Sequence, residues 1–123
     1  GAVRPADVVV INLGTNDYST DGDPSEAEFV PAYVQLLEQV RALHPDALIA
    51  CTVGPPLGDA DMGRATSAIN AALAIRREAG DEQLRWVDLD GFADWGCDYH
   101  PGDETQALLA EDLVAFLQTE LGW

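Results

Sequence analysis

Three short apolar runs alternate along the chain with longer segments whose apolar residues recur at helical spacing. The runs cover about Asp7–Leu13, Leu48–Gly54 and Leu84–Leu89, and the first contains Val8-Val9-Val10-Ile11 without a polar interruption. Such runs are typical of parallel strands that are buried on both faces. Strands that alternate with helices predict a parallel sheet with right-handed crossovers. The pattern therefore indicates the α/β class, with helices on both faces in a three-layer α/β/α sandwich.

Three helices are predicted between and after these strands. Ser25 begins the first one, with Glu28 three residues later as a capping box, and His44-Pro45 ends it. Pro31 falls in this helix, and either it kinks the first turn or the regular helix begins there. The second helix covers about Met62–Glu78. The third covers about Glu104–Leu121, and its apolar residues are expected to face inward: Leu108, Leu109, Leu113, Phe116 and Leu117.

The strand at Val8 is so apolar that it predicts a central position in the sheet, yet only three strands are present. A parallel sheet needs both faces covered and its edges protected. The chain also opens abruptly, on Gly1-Ala2-Val3-Arg4-Pro5. We therefore expect residues 1–123 to be the C-terminal portion of a single larger domain, and a missing N-terminal segment of that domain to be its partner. The isolated chain should be poorly stable.

Composition excludes several classes of partner. The 123 residues include 22 acidic side chains, six arginines and no lysine, for a net charge of −16. A protein this acidic cannot neutralise a row of phosphates, so nucleic acid is not an expected partner. No run approaches the roughly 20 apolar residues of a membrane span. A glycine-rich phosphate loop is also lacking, which argues against nucleotide binding.

Two polar residues lie at positions where α/β proteins commonly have binding or catalytic residues. Asn16 follows the first strand and Gly14, at the carboxyl end where open sheets bind ligands. Its side-chain amide can donate to an oxyanion, or it can simply close the turn on its own backbone. His100 lies in a loop before the last helix, where it can be a general base or only a helix-entry residue. His44 precedes Pro45 at a helix C-terminus, where we expect a structural role.

The two segments together resemble the SGNH (GDSL-type) hydrolases. The resemblance rests on Gly14-Thr15-Asn16-Asp17 after an apolar strand and on Asp-Tyr-His-Pro before the last helix, and it covers nearly the whole chain. The motifs Val-Ile-Asn-Leu-Gly-Thr-Asn-Asp, Cys-Thr-Val-Gly-Pro and Gly-Cys-Asp-Tyr-His-Pro are most similar to carbohydrate esterase family two. That family removes acetyl groups from plant polysaccharides. The resemblance implies a flavodoxin-like SGNH fold whose N-terminal strands are missing here.

The resemblance also implies roles for individual residues. Asn16 would donate to the oxyanion hole and His100 would be the base of a Ser-His mechanism that needs no cofactor and no metal. The substrate would be a small-molecule or polysaccharide ester, and the protein a carboxylic ester hydrolase, most simply a carbohydrate O-deacetylase. Substrate contacts are expected from two groups of residues: Gly14, Thr15 and Asp17 in the turn, and Trp95 and Tyr99, whose aromatic faces suit a sugar ring.

The chain departs from the family pattern at two points. No Gly-Asp-Ser block is present, and Ser19, Ser25 and Ser67 do not follow a strand in a sharp turn. The nucleophile segment is therefore expected to be absent, and this chain alone to be inactive. The usual orienting aspartate, three residues before the histidine, is replaced by Cys97. Either Asp98 or a main-chain carbonyl would then fix the imidazole tautomer.

Three other features leave alternatives open. Cys51 and Cys97 are either both reduced or joined in a disulfide, and a disulfide would indicate an oxidising compartment. Secretion or a periplasmic location is the corresponding expectation. The segment from Asp17 to Glu28 fits the spacing of an EF-hand loop, although a strand precedes it, so a solvated acidic loop is the alternative to a calcium-binding structural domain. A different function also remains: a non-catalytic SGNH-like carbohydrate-binding or relic domain.

Overall fold

A computed structural model describes residues 4–55 and 57–123. Three strands form one parallel sheet in the order β1 (Val8–Asn12), β2 (Leu48–Thr52) and β3 (Leu84–Trp86). In the register, Val10 is opposite Ala50 and Ile49 is opposite Leu84. The parallel sheet predicted from the alternating pattern is confirmed, although each strand ends earlier than its apolar run.

Two long helices cover one face of the sheet. Helix α2 spans Glu26–Leu43 and α3 spans Asp59–Glu78. Their side chains form the core with strand residues of one alternation, including Ile11, Ile49 and Leu84. Alternate residues of a strand point to opposite faces, so these three residues share a face. The core of the described chain therefore lies between this face and the α2–α3 pair.

The predicted start of α2 is confirmed. Ser25 is the N-cap residue, and the Glu28 carboxylate accepts hydrogen bonds from Ser25 N at 3.0 Å and from Ser25 Oγ at 2.6 Å. These bonds lower the pKa of the Glu28 carboxyl. Pro31 lies inside the helix, and α2 continues through it. The capping box alone was enough to locate the first turn.

The last helix, α4 (Asp103–Leu121), lies on the opposite face of the sheet. The Arg85 side chain alternates with those of Leu84 and Trp86, both of which contact the α2–α3 core, so it points to the other side. There Arg85 Nε donates to Glu120 of α4 at 2.8 Å. Helices thus lie on both faces of the sheet, which confirms the α/β/α arrangement.

One expectation from the sequence stays a prediction and one needs correction. β1 lies at the edge of the sheet that the described residues form, as expected if its outer neighbour belongs to a missing segment, so its central position in the complete domain stays a prediction; β2 lies in the middle with all five residues buried. The five inward-facing residues predicted for α4 are not buried: Leu108 is 37% exposed and the other four are half-buried. Thr105 is the buried residue of this helix. No further strand in the described ranges covers the free edge of β1 or completes the α4 layer.

Two short helical segments were not predicted. Helix α1 spans Thr15–Tyr18 directly after β1, and a 3-10 turn spans Cys97–Tyr99. Both follow from backbone conformations that hydrophobic periodicity does not report. Both cysteines are free, Cys51 buried on β2 and Cys97 exposed, so the reduced alternative holds in this structure.

Candidate active site

A cleft of about 750 Å³ opens at the carboxyl ends of β1 and β2. Six of the predicted site residues line it, and these come from the two ends of the chain: Thr15, Asn16, Trp95, Asp98, Tyr99 and His100. Because the carboxyl ends of parallel strands meet at one edge of a sheet, residues far apart in sequence are brought together there. The predicted pairing of the Asn16 turn with the His100 loop is therefore present in the structure.

Asn16 is presented by the first turn of α1. Gly14 precedes that turn with φ 119°, a backbone conformation that residues with side chains rarely adopt, and a Cβ there would contact Ile69, Phe29 and Val53. Thr15 Oγ1 donates to Gly54 O at 3.0 Å and ties the turn to the end of β2. The Asn16 side chain is exposed and makes no hydrogen bond to any residue in 4–55 or 57–123. Its amide is thus available to a ligand, and it does not close the turn.

Not every residue of this turn reaches the cleft. Gly14 is buried, and neither Gly14 nor the exposed Asp17 is among the residues that line the cleft. Gly14 shapes the turn that carries Asn16, so its part in substrate binding is indirect. Asp17 raises the pKa of Tyr18, after the larger effect of burial on the same phenol. Contact of these two residues with substrate stays a prediction that the cleft geometry does not support.

His100 stands on the returning arm of a short loop. Its backbone N–H donates to Cys97 O at 3.0 Å, and its carbonyl accepts from Gly96 N at 2.7 Å. The tip is tightly turned, because Asp98 (φ 53°) and Tyr99 (φ 59°) are both left-handed. The His100 side chain is exposed toward the cleft. A histidine presented in this way can accept a proton from a group bound beside it.

The residue that orients the imidazole is not seen. Within the described ranges, neither ring nitrogen of His100 is hydrogen-bonded to the Asp98 carboxylate or to a main-chain carbonyl. Both alternatives from the sequence therefore remain predictions. Catalytic hydrogen bonds are often long or incomplete without substrate, so this geometry does not remove His100 as a candidate base.

Aromatic side chains border the cleft on the His100 side. Tyr99 is 84% exposed, and Trp95 is 52% exposed. Trp95 also lines a neighbouring hollow of about 360 Å³, where it packs edge-to-face on Phe92 with ring centroids 4.7 Å apart. Exposed aromatic faces next to a cleft suit the apolar face of a sugar ring. The predicted role of Trp95 and Tyr99 as a binding surface is consistent with this placement.

Sequence reasoning missed two polar residues that line the cleft. Asn12 is the polar end of β1, and its side-chain amide lies so close to Gly54 that a Cβ there would be 3.1 Å from Asn12 Nδ2. Ser19, just after α1, also lines the cleft. The polar end of an otherwise apolar run was the signal for Asn12. Ser19 carried no signal, because short helices such as α1 are not visible in the pattern.

In the acidic segment from Asp17 to Glu28, two carboxylates are engaged by neighbouring side chains of the protein. Asp23 accepts two hydrogen bonds from Arg64, at 3.1 and 2.6 Å, and Glu28 is engaged by Ser25. Within residues 4–55 and 57–123, no group of three or more His, Cys, Asp or Glu side chains is placed to hold a metal ion.

No helix in the described ranges is long and apolar enough to cross a membrane.

Comparison with known proteins places the chain among hydrolases. Residues 1–108 match the model of the GDSL-like lipase/acylhydrolase family, and the chain belongs to that family. Among curated proteins it is 40% identical to the cellulase/esterase CelE of Acetivibrio thermocellus, over 94% of this chain and 14% of the relative. It is 27% identical to an acetylxylan esterase/glucomannan deacetylase of Cellvibrio japonicus, over 94% of this chain and 33% of the relative.

Solved structures agree with this family and indicate which of its members the chain is most similar to. A family two carbohydrate esterase from Clostridium thermocellum, solved with cellohexaose, superimposes with a TM-score of 0.90 at 38% identity, over 97% of this chain and 37% of that one. An acetyl xylan esterase from the rumen bacterium Butyrivibrio proteoclasticus gives 0.83 at 26% identity, over 97% and 38%. The resemblance to carbohydrate esterase family two is thus confirmed. The chain spans well under half the length of these relatives.

Proposed function

We propose that this chain carries the oxyanion donor and the general base of a carbohydrate O-deacetylase. The observation that carries the proposal is the placement of Asn16 and His100 in one cleft, where the Asn16 amide makes no hydrogen bond to the described part of the chain. Relatives named as esterases and deacetylases support the reaction class. Acetylated plant polysaccharide is the proposed substrate, and Trp95 and Tyr99 are its proposed contacts.

The mechanism assigns each of these groups one task. A serine hydroxyl attacks the acetyl carbonyl, and His100 takes the serine proton as the C–O bond forms. Asn16 donates to the developing oxyanion, a contribution of roughly 3 kcal/mol to the transition state. As the bond between the acetyl carbon and the sugar oxygen breaks, His100 gives the proton to that oxygen, which leaves as the sugar hydroxyl and leaves an acetyl-serine. Water, deprotonated by His100, hydrolyses that ester and releases acetate and the free serine.

We infer that the nucleophile belongs to a segment outside this chain. Ser19 lines the cleft but makes no hydrogen bond to His100 within the described ranges, and Ser25 is engaged by Glu28. The free edge of β1 and the partly exposed layer of α4 offer places where further strands and a helix of the same domain can pack. The small share of each relative that this chain covers supports the same inference. Without that segment the chain is expected to be inactive.

The proposal is tested in the protein expressed from its complete reading frame. We expect His100→Ala to lower kcat for 4-nitrophenyl acetate and for acetylated xylan by about 10³-fold or more, because it removes the group proposed to take the serine proton. Asn16→Ala should lower kcat by about 10²- to 10³-fold. His44→Asn is the matched control, because His44 accepts a hydrogen bond from Ala6 N at 3.2 Å and is not among the residues of the cleft. Full activity of His100→Ala would refute the proposal.

A non-catalytic carbohydrate-binding domain is the second candidate. It is favoured by the exposed aromatic surface of Trp95, Phe92 and Tyr99, which requires no nucleophile to bind sugar. The complete sequence separates the two candidates, because an intact Gly-Asp-Ser turn after an apolar strand supports the enzyme. A replaced serine, together with retained binding of cellohexaose by calorimetry, would support the binding domain. A polysaccharide substrate cannot enter a cell, so we also propose that the protein is secreted or periplasmic.

A further inference from the structure

The loop that carries His100 is closed at its base by the main chain. Gly102 N donates to Asp94 O at 3.1 Å, and Gly96 N donates to His100 O at 2.7 Å. Residues 94–102 therefore form a small hairpin with His100 on its returning arm. Since the imidazole makes no hydrogen bond within the described ranges, the backbone of this hairpin decides where the ring stands over the cleft.

Thr105 fixes the base of this hairpin from the first turn of α4. Its side chain is fully buried, and Thr105 Oγ1 accepts hydrogen bonds from Ala93 N at 3.0 Å and Asp94 N at 2.9 Å. The hydroxyl proton can go to Asp94 O at 2.8 Å or to Asp94 Oδ1 at 3.0 Å, one at a time. A buried hydroxyl with three simultaneous partners is a strong local constraint, because its loss removes three hydrogen bonds from the base of the hairpin together.

Asp94 completes the contact by capping α4 from outside the helix. Its Oδ1 accepts from Thr105 N at 3.0 Å, and that amide is among the four at the helix start that lack an intrahelical partner. The residue at the usual capping position, Gly102, has no side chain to do this. A Cβ on Gly102 would overlap the Asp94 carboxylate. We call Asp94, Gly102 and Thr105 the clasp.

We propose that the clasp positions His100 for proton transfer, and that its members are positioning residues which never touch substrate. The proposal rests on the esterase function proposed above. A general base must come within about 2.6–3.2 Å of the hydroxyl that it deprotonates. A displacement of about 1 Å in a catalytic group lowers rate by about 10²-fold. Since the clasp joins the first and last residues of the hairpin to α4, loosening it moves His100 without changing the imidazole itself.

The test uses Thr105→Val, which keeps the shape of the side chain and removes the hydroxyl, in the complete protein. We expect kcat for 4-nitrophenyl acetate to fall at least about tenfold, with KM within about twofold, because the lost geometry concerns proton transfer and not binding. Hydrogen–deuterium exchange should rise at least about tenfold in a peptide covering 94–102 and stay unchanged in one covering 48–52. Thr105→Ser, which restores the hydroxyl, should return both values to within about threefold of the wild type.

The control is Thr119→Val, which removes a hydroxyl from the same helix far along its length, where Thr119 Oγ1 bonds only Ala115 O. It should change neither kcat nor exchange in 94–102. If Thr105→Val does not fold, Gly102→Ala tests the same contact by displacing the Asp94 carboxylate, with the same expected losses. Unchanged kcat in whichever of these two variants folds, or faster exchange that extends to 48–52, would overturn the clasp. Hydrolysis retained by His100→Ala would overturn the role of His100 as the base, and the clasp proposal with it, whereas no hydrolysis by the unmodified complete protein would overturn the esterase function itself.

Discussion

The ion pair between Arg41 and Asp81 should be the strongest single electrostatic contact in the fold, and removing Arg41 tests this. Arg41 Nε and Nη2 each donate to one Asp81 oxygen at 3.0 Å, a two-pronged contact that links the end of α2 to the turn before β3. The side chains are only 17% and 7% exposed. Arg41 also donates to four carbonyls nearby: His44 O, Pro45 O, Ala47 O and Gln83 O.

The magnitude follows from what Arg41→Ala leaves behind. The Asp81 side chain is 7% exposed beside Arg41, and among the described residues it would keep only the more distant Arg76 Nη2, at 3.9 Å, as a cation. Removing one partner of a buried pair destabilises by about 3–5 kcal/mol, chiefly because the other charge stays without compensation. We therefore expect about 4 kcal/mol for Arg41→Ala. Asp81→Ala should cost about 2 kcal/mol, because Arg41 keeps its carbonyl partners and some contact with water.

Native-state hydrogen exchange measures this without requiring a two-state transition of the whole protein. The reporter is the Ile49 amide, which bonds Gln83 O between β2 and the start of β3. A loss of about 4 kcal/mol corresponds to about a thousandfold faster exchange, provided that this amide exchanges through global opening. Glu120→Ala is the control, because the Arg85–Glu120 pair is 38% and 26% exposed, and its loss should cost under about 1 kcal/mol.

A double-mutant cycle gives the result that would refute the reasoning. Because Arg41 and Asp81 contact each other directly, their losses should not add, and the coupling should be about 2 kcal/mol. A coupling below about 0.5 kcal/mol would mean that the carbonyl contacts of Arg41 carry the stability. A loss for Arg41→Ala no larger than that for Glu120→Ala would show that burial does not strengthen the pair.

Three further outcomes are expected. Burial raises the pKa of the Cys51 thiol from 9.0 to about 11, so the folded state keeps a proton that the unfolded state releases above pH 9. The stability that the protonated Cys51 thiol contributes is complete below pH 9 and is lost as pH rises to about 11, so the urea midpoint should fall over this range. Cys51→Ala should make that fall smaller. Ellman's reagent should modify exposed Cys97 in the folded chain and Cys51 only after unfolding; equal rates would contradict the burial. The isolated chain should self-associate through the free edge of β1, and Val10→Lys should reduce this in sedimentation velocity; a sharp melt of a wild-type monomer would contradict it.

Local chemistry made much of the fold predictable. The capping box of Ser25 and Glu28 depends on residues three apart, and the start of α2 was found from it. The three apolar runs predicted three strands, because a segment buried on both faces must be apolar throughout. The strand ends were less certain: β3 stops at Trp86, three residues before its apolar run ends. Hydrogen bonding to the neighbouring strand sets that boundary, and hydrophobicity does not.

For the candidate site too, some residues could be identified from the sequence and others only from the structure. Asn16 and His100 could be singled out because each is a reactive residue type at the end of a strand or the start of a helix, and the family resemblance gave them roles. Their meeting in one cleft with Asn12 and Ser19 depends on the parallel pairing of β1 with β2, which places distant turns side by side. No spacing in the sequence reports such a neighbour.

The amino-acid sequence by itself determined the alternation of strands and helices, the acidic surface and the two motifs, since each depends on residues close together in the chain. Tertiary structure alone decided that Thr105 is the buried residue of α4. It also decided that Asp94 caps α4 from eleven residues away. These features arise from contacts between residues far apart in the chain, and the energy of such contacts depends on which surfaces the fold brings together. A local sequence pattern shows which residues are present but not which of them will meet.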